Sequence, residues 1–313
     1  MNDQNIKPAP WTQAGWEDEV TTWIDGHVER TGELEVVKKW SISAVLKAPT
    51  KTGNVYFKEA LDLPLFVHEP HLTDGLGRIL PGHIPEVLAL EEKRRWLLMA
   101  DCGKVLESAD EEVQHAVLQL YNRLQAKVVP RQDELFAIGC LDRRLQRLEK
   151  QMQPLLADPL TRAQLEEGQV EILEGQMPRF IDMARQLAAL PIPQTLVHGD
   201  LHLGNVSRQA GQYIFFDWTD ACVAHPFFDM LVAYGSGDID KTWLYNTCLK
   251  PWRAWADEAT LVQAWTLSVP LAYLHYAVTY QSLLSHLPAQ LRHELEDDWD
   301  AMLKFLVQWC REN

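Results

Sequence analysis

Apolar and polar positions along the chain change their period near residue 103. Over residues 16–30, Trp16, Val20, Trp23 and Ile24 recur at three- and four-residue spacing, which predicts a helix with one apolar face. Three strand-like runs follow at 34–40, 43–47 and 54–58, and Lys51-Thr52-Gly53-Asn54 between the last two has hairpin-turn chemistry. Residues 69–80 predict a helix with Pro70 in its first turn and Leu72, Leu76, Ile79 and Leu80 on its apolar side. Gly75 and Gly77 weaken that helix pattern. Two more strands are expected at 84–90 and 96–100, joined by the charged turn Glu91-Glu92-Lys93-Arg94. Asp101-Cys102-Gly103 then breaks the alternation, with a glycine suited to a hinge.

Beyond this point helical spacing takes over. Val113, Val117, Leu120, Tyr121 and Leu124 share a face, as do Leu141, Leu145 and Leu148, and helices are expected to about Leu190, where Pro191-Ile192-Pro193 stops them. A strand-rich patch at 195–218 interrupts the helices, which then resume to the end. The expected organisation is α+β. A mainly antiparallel sheet lobe spans 1–103, and a larger helical lobe spans 104–313.

Composition narrows the function. With 313 residues, 47% of them hydrophobic, the chain can bury a large core or two lobes around a cleft. A formal net charge of −15 argues against a broad nucleic-acid surface, which needs Lys and Arg to displace counterions. The same charge suits a cationic ligand, and equally suits ordinary solubility. The start, Met1-Asn2-Asp3-Gln4-Asn5-Ile6-Lys7-Pro8, lacks the apolar core of a signal peptide, and no apolar run approaches the length of a membrane span. Five dispersed cysteines without a Cys-x-x-Cys pair speak against a disulfide framework or a zinc site. A cytoplasmic protein with no membrane partner is the expectation.

The chemistry concentrates in Leu196-Val197-His198-Gly199-Asp200-Leu201-His202-Leu203-Gly204-Asn205, followed by the apolar run Tyr213-Ile214-Phe215-Phe216 and then Asp217-Trp218. An apolar strand enters a tight polar loop, and a second strand delivers another carboxylate. Phosphoryl transfer needs one carboxylate to orient the attacking hydroxyl, and an amide oxygen with a second carboxylate to hold the metal that neutralises the phosphates. Asp200, Asn205 and Asp217 have the residue types, order and spacing for these roles.

This run resembles the catalytic loop of the aminoglycoside phosphotransferase and choline kinase superfamily, whose Asp-x-x-x-x-Asn spacing is shared with protein kinases. Asp217-Trp218 is similar to the metal-binding motif that reads Asp-Phe-Gly in protein kinases. Asp220, His225-Pro226 and Asp229 resemble the family's downstream segment. The resemblance implies a bilobal protein-kinase-like fold, ATP or GTP as phosphoryl donor, Mg2+, and a small hydroxylated acceptor such as an aminoglycoside-, choline-, sugar- or amino-alcohol-like molecule. A protein Ser/Thr acceptor is the alternative within the same chemistry. It also implies that Lys58, ending the third strand, grips the nucleotide phosphates, and that Glu69, opening the next helix, pairs with it; Glu59 and Glu86 are rival partners. The glycine-rich loop of protein kinases is missing. In its place stands Trp40-Ser41-Ile42-Ser43-Ala44, where backbone amides and the hydroxyls of Ser41 or Ser43 could cap a phosphate. The stretch 97–103, with Met99 and Asp101, resembles the purine-holding linker. His198 is expected to support the loop from behind, and His202 to meet phosphate or loop backbone.

Three other signals compete. His198, Asp200 and His202 alternate, so an extended backbone could aim all three at one metal, as a metal-dependent hydrolase would require. Twelve tryptophans include Trp243, Trp252, Trp255 and Trp265, which could form an aromatic box for an amine or could simply anchor the helical core. The acidic run 294–300 could attract a cation or form a solvated helix face. Oligomeric state is not encoded in any of these patterns.

Overall fold

The computed structural model describes residues 8–107, 110–230 and 240–313; the polar start 1–7 lies outside them. The N-terminal part is built on β1 (Glu35–Lys39), β2 (Ser43–Thr50), β3 (Gly53–Ala60), β4 (Val87–Glu91) and β5 (Trp96–Ala100). They form an antiparallel sheet in the order β1-β2-β3-β5-β4. Strand alternation sorts its side chains. Leu46, Val55, Phe57 and Leu98 are buried in one cluster with Trp16, Val20 and Ile24 of helix α1 (Trp16–Asp25).

The neighbour of Phe57 on β3, Lys58, therefore points to the opposite side. There helix α2 (Glu69–Ile79) packs on β4 and β5. Both glycines are accommodated in α2, and Gly75 has a reason: a Cβ at this position would stand 2.6 Å from Cγ2 of Ile138. The bare Cα lets α2 approach the helical lobe closely.

Strand β6 (Lys104–Val105) directly follows Gly103 and leads to α3 (Glu111–Val128), α4 (Gln132–Ala137), β7 (Leu141–Asp142), α5 (Leu145–Ala157), α6 (Pro159–Gln164) and α7 (Gln169–Ala189). Then come β8 (Thr195–Val197), β9 (Val206–Gln209), β10 (Gln212–Phe215) and β11 (Cys222–Ala224), and the long helices Glu258–His286 and Glu296–Glu312. Two small sheets, β10-β9-β6 and β7-β11-β8, lie within this part. One large core joins α2, α3, α5, α7 and both long helices.

Several boundaries differ from the sequence reading. The first helix stops at Asp25 rather than reaching Arg30, because Gly26 follows and Arg30 folds back to pair with Asp25 at 2.6 Å. Leu141 does not share a helix with Leu145 and Leu148. It lies in β7, paired in parallel with β11, and α5 begins only at Leu145. The strand at 84–90 is shifted to Val87–Glu91.

Candidate active site

The site is assembled where β3, α2, the loop after β8 and the segment after β10 meet. Lys58 Nζ lies 2.8 Å from Glu69 and 2.6 Å from Oδ1 of Asp217. Thr219 bridges the group, with its hydroxyl 3.1 Å from Glu69 and 2.9 Å from Asp217. The backbone amide of Trp218 also donates to Glu69. Side-chain exposure is 6% for Lys58 and 4% for Glu69 but 38% for Asp217. The carboxylate of Asp217 is thus the member open to an incoming ligand.

Burial opposes the Lys58 charge, but the Asp217 and Glu69 carboxylates outweigh it and hold the ammonium above its ordinary range. Burial also opposes ionisation of Asp217, yet Lys58 draws this carboxyl down to about 2. Glu69 goes the other way, since burial outweighs Lys58 and raises it. Of the rivals, Glu59 lies one residue along β3 and faces α1, where it accepts from the indoles of Trp16 and Trp96 at 2.6 and 2.8 Å. Strand parity removes it from Lys58.

The loop after β8 is held from below. Asp229, fully buried, accepts from the amides of His198 at 2.8 Å and Gly199 at 2.9 Å, and from the Tyr121 hydroxyl. Burial pushes the Asp229 carboxyl up to about 6, against these donors. Gly199 has φ +87°, and a Cβ there would lie 2.4 Å from the Asp220 carbonyl oxygen, so only glycine fits. Asn205 donates through Nδ2 to the Asp200 backbone carbonyl at 2.9 Å and to its carboxylate at 3.0 Å. Its amide oxygen Oδ1 is left for a cation. The Asn205 carbonyl accepts from the Phe216 amide, which ties this loop to the strand that presents Asp217. Asp220 is raised well above the carboxylate range by burial and by Asp200 and Asp217.

His198 supports the loop. Its Nε2 lies 2.9 Å from the Phe216 carbonyl, its Nδ1 accepts from the Asp200 amide, and its ring packs on Trp218 at 4.4 Å. Both ring nitrogens are thus engaged by backbone, and burial lowers the imidazole pKa. This overturns the three-ligand metal reading of His198, Asp200 and His202. Among the described residues no group of three His, Cys, Asp or Glu side chains is arranged to hold a metal. Asn205 and Asp217 instead offer an all-oxygen pair suited to a hard divalent ion that takes its remaining ligands from phosphate and water. His202 is half exposed, 3.6 Å from Asp200, which raises its pKa, and its Nδ1 accepts from the Gly204 amide.

The other expected residues make contacts of their own. Ser43 Oγ accepts from the Trp40 indole at 2.6 Å, and the Ser41 amide donates to Glu294 at 2.7 Å. Met99 pairs within the sheet with Tyr56 and Val87. Asp101 braces the linker: its carboxylate accepts from the Gly103 amide and its carbonyl from Gln209. Three of the four tryptophans of the helical part pack around Phe227 or one another. Trp252 is fully buried, donates to Asn122, and packs on Trp255 and Phe227, with Trp265 also against Phe227. A cavity of about 1860 Å3 lies between the 61–65 segment, α5, α6 and the end of helix Glu258–His286; Asp200, Asn205 and Asp217 are not among its lining residues. Thr219, Tyr121 and Glu294 were not singled out as site residues from the sequence. Thr219 had a signal, two positions after Asp217, whereas Tyr121 read only as part of a helix face.

A bilobal arrangement with a buried Lys–Glu pair beneath a sheet and an Asp–Asn loop opposite it defines a kinase-like phosphotransferase. The profile of the phosphotransferase enzyme family matches residues 70–259, well over half of the chain, and the protein belongs to that family. Solved structures share the fold at low identity. A choline/ethanolamine kinase family protein from Mesorhizobium loti is 14% identical with a TM-score of 0.61, covering 94% of this chain and 93% of its own. The macrolide 2'-phosphotransferase MphH from Brachybacterium faecium is 14% identical with a TM-score of 0.60, covering 92% and 98%. Amicoumacin kinase hAmiN, solved with AMP-PNP, Ca2+ and Ami, is 14% identical with a TM-score of 0.57, covering 95% of each chain. No curated protein matches by sequence. Among the described residues no helix is long and apolar enough to cross a membrane.

Proposed function

We propose that this phosphotransferase moves the γ-phosphoryl group of ATP, with Mg2+, onto a hydroxyl of a small molecule. The observation that carries the reading is the convergence of Lys58, Glu69 and Asp217 with the Asn205–Asp200 pair. Glu69 and Thr219 hold the Lys58 ammonium in place, so that it meets phosphate oxygens with little reorganisation. Asp217 and Oδ1 of Asn205 are the residues that would hold the divalent ion. That ion, when bound, supplies neutralisation of the phosphate charge as the leaving group departs. Asp200, 44% exposed, orients the acceptor hydroxyl and takes its proton as the new oxygen–phosphorus bond forms and the bond to the β-phosphate oxygen breaks, leaving ADP. A sheet lobe over 1–103 and a helical lobe over 104–313 would then close on the nucleotide, with the acceptor between them.

The solved relative that holds a nucleotide analogue and a divalent ion supports the donor assignment. Aminoglycoside-, choline-, sugar- and amino-alcohol-like compounds are the acceptor classes to try first. The test is ADP release from Mg-ATP across a panel of hydroxylated amines, sugars and metabolites, repeated with Asp217→Ala. Acceptor-dependent ADP release that vanishes in the variant supports the reading. Wild-type protein that binds no nucleotide, or an Asp217→Ala variant as active as wild type, defeats it.

A further inference from the structure

The loop between β1 and β2 lies where phosphate-capping amides are expected, and one of those amides already has an anionic partner. The Ser41 backbone N–H donates to Oε2 of Glu294 at 2.7 Å, across 253 residues of sequence. Glu294 is exposed and ends the turn Ala289–Glu294 just before the last helix, whereas Ser41 is 2% exposed. The Ser41 hydroxyl is buried with no hydrogen-bond partner. The loop therefore presents a backbone donor held by a carboxylate, next to an unsatisfied hydroxyl.

We propose that Glu294 is a positioning residue whose carboxylate competes with nucleotide phosphate for the Ser41 amide. The inference rests on the phosphotransfer reading above, together with the expectation from the sequence that amides of this loop cap a phosphate. One N–H accommodates one strong acceptor, and a carboxylate oxygen and a phosphate oxygen brought to the same donor repel each other. In the free protein the contact latches the sheet lobe's loop to the start of the C-terminal helix. Nucleotide entry releases the latch, and the latched fraction lowers the apparent affinity for nucleotide.

The consequence is specific to phosphate. Glu294→Ala removes the competitor, so ADP should bind about 2- to 10-fold more tightly, the range set by one hydrogen bond. Glu294→Gln retains a neutral acceptor and should show a smaller gain. Adenosine has no phosphate and should bind all three proteins alike. A contact that merely shaped the loop would move ADP and adenosine together. Calorimetric titration of wild type, Glu294→Ala and Glu294→Gln with ADP and with adenosine reads this directly. Selective tightening for ADP, larger for Ala than for Gln, supports the latch. Unchanged or weaker ADP binding in Glu294→Ala, or equal tightening for adenosine, overturns it while leaving the phosphotransfer reading intact. Wild-type protein that binds neither ligand overturns both. Because Glu294 is exposed and the Gln variant is nearly isosteric, at least one variant keeps the native fold for the measurement.

Discussion

Lys58 has an electrostatic role in the fold that can be separated from its proposed role in catalysis. Replacing it with Met leaves Glu69 buried without its cation, and breaking a buried ion pair from one side commonly costs about 3–5 kcal/mol. Lys58→Met should therefore lower the urea midpoint as well as abolish turnover. Adding Glu69→Gln should restore much of the midpoint, since a neutral amide can still accept from Thr219 and Trp218, yet turnover should stay lost. A single variant as stable as wild type would show that the pair contributes nothing to folding. Asp200→Asn probes the chemistry alone. Losing a positioned base reduces rate by about 10²–10⁴-fold, while Mg-ATP affinity should hold nearly constant, because Lys58, Asn205 and Asp217 carry the proposed nucleotide and metal contacts. Single-turnover ADP formation together with Mg-ATP titration checks both halves.

Among the elements, α2 couples the lobes to the site because Glu69 begins it and Gly75 sits six residues further on, against Ile138. Gly75→Ala gains helix propensity of about 1 kcal/mol, but the added methyl would overlap Ile138, and overpacking commonly costs about 1–3 kcal/mol. We expect the clash to win, with a lower melting temperature and reduced activity through displacement of Glu69 from Lys58. Gly75→Ala/Ile138→Ala should recover both. Failure of the double variant to recover would place the effect of Gly75 elsewhere in the helix.

For the whole molecule, acid stability should reflect two carboxylates, the partly exposed Asp217 and the buried Asp229, with opposite signs. Asp217 is drawn down to about 2 in the folded state, below its ordinary value of 3.8. Its contribution is present above the ordinary value and is lost as pH falls toward 2. Asp229 is pushed up to about 6, so the folded chain keeps a proton that the unfolded chain releases between 3.8 and 6. Its contribution therefore falls as pH rises through that window. The stability advantage of wild type over Asp229→Asn should accordingly shrink between pH 4 and pH 6.5 and then level off, as read from urea midpoints. An advantage that grows with pH would mean that its hydrogen-bond donors keep the carboxylate ionised throughout.

Much of the candidate site was legible because its parts lie close in sequence. An apolar strand, a turn that only glycine fits at 199, and a second strand bring Asp200, Asn205 and Asp217 together within eighteen residues of chain. Strand parity, once the sheet is assembled, sets Lys58 opposite the face of Phe57 and Glu59 against α1. The sequence also carried the bilobal α+β order, since period-2 and period-3.6 patterns are local properties. Other features were decided only by packing. Leu141 left the helical pattern because β11, 81 residues later, offered a strand partner at Cys222. Gly75 looked like a helix weakness until Ile138 came against it. Trp252 became core because its ring meets Trp255 and Phe227, which no spacing along the chain reveals. Glu294 read as part of a solvated acidic run, and the fold set it on the Ser41 amide. Local periodicity and turn chemistry are written in neighbouring residues, whereas contacts between distant segments depend on how whole faces fit. For that reason the loop that carries Asp200 and Asn205 could be read from the chain, and the network holding it could not.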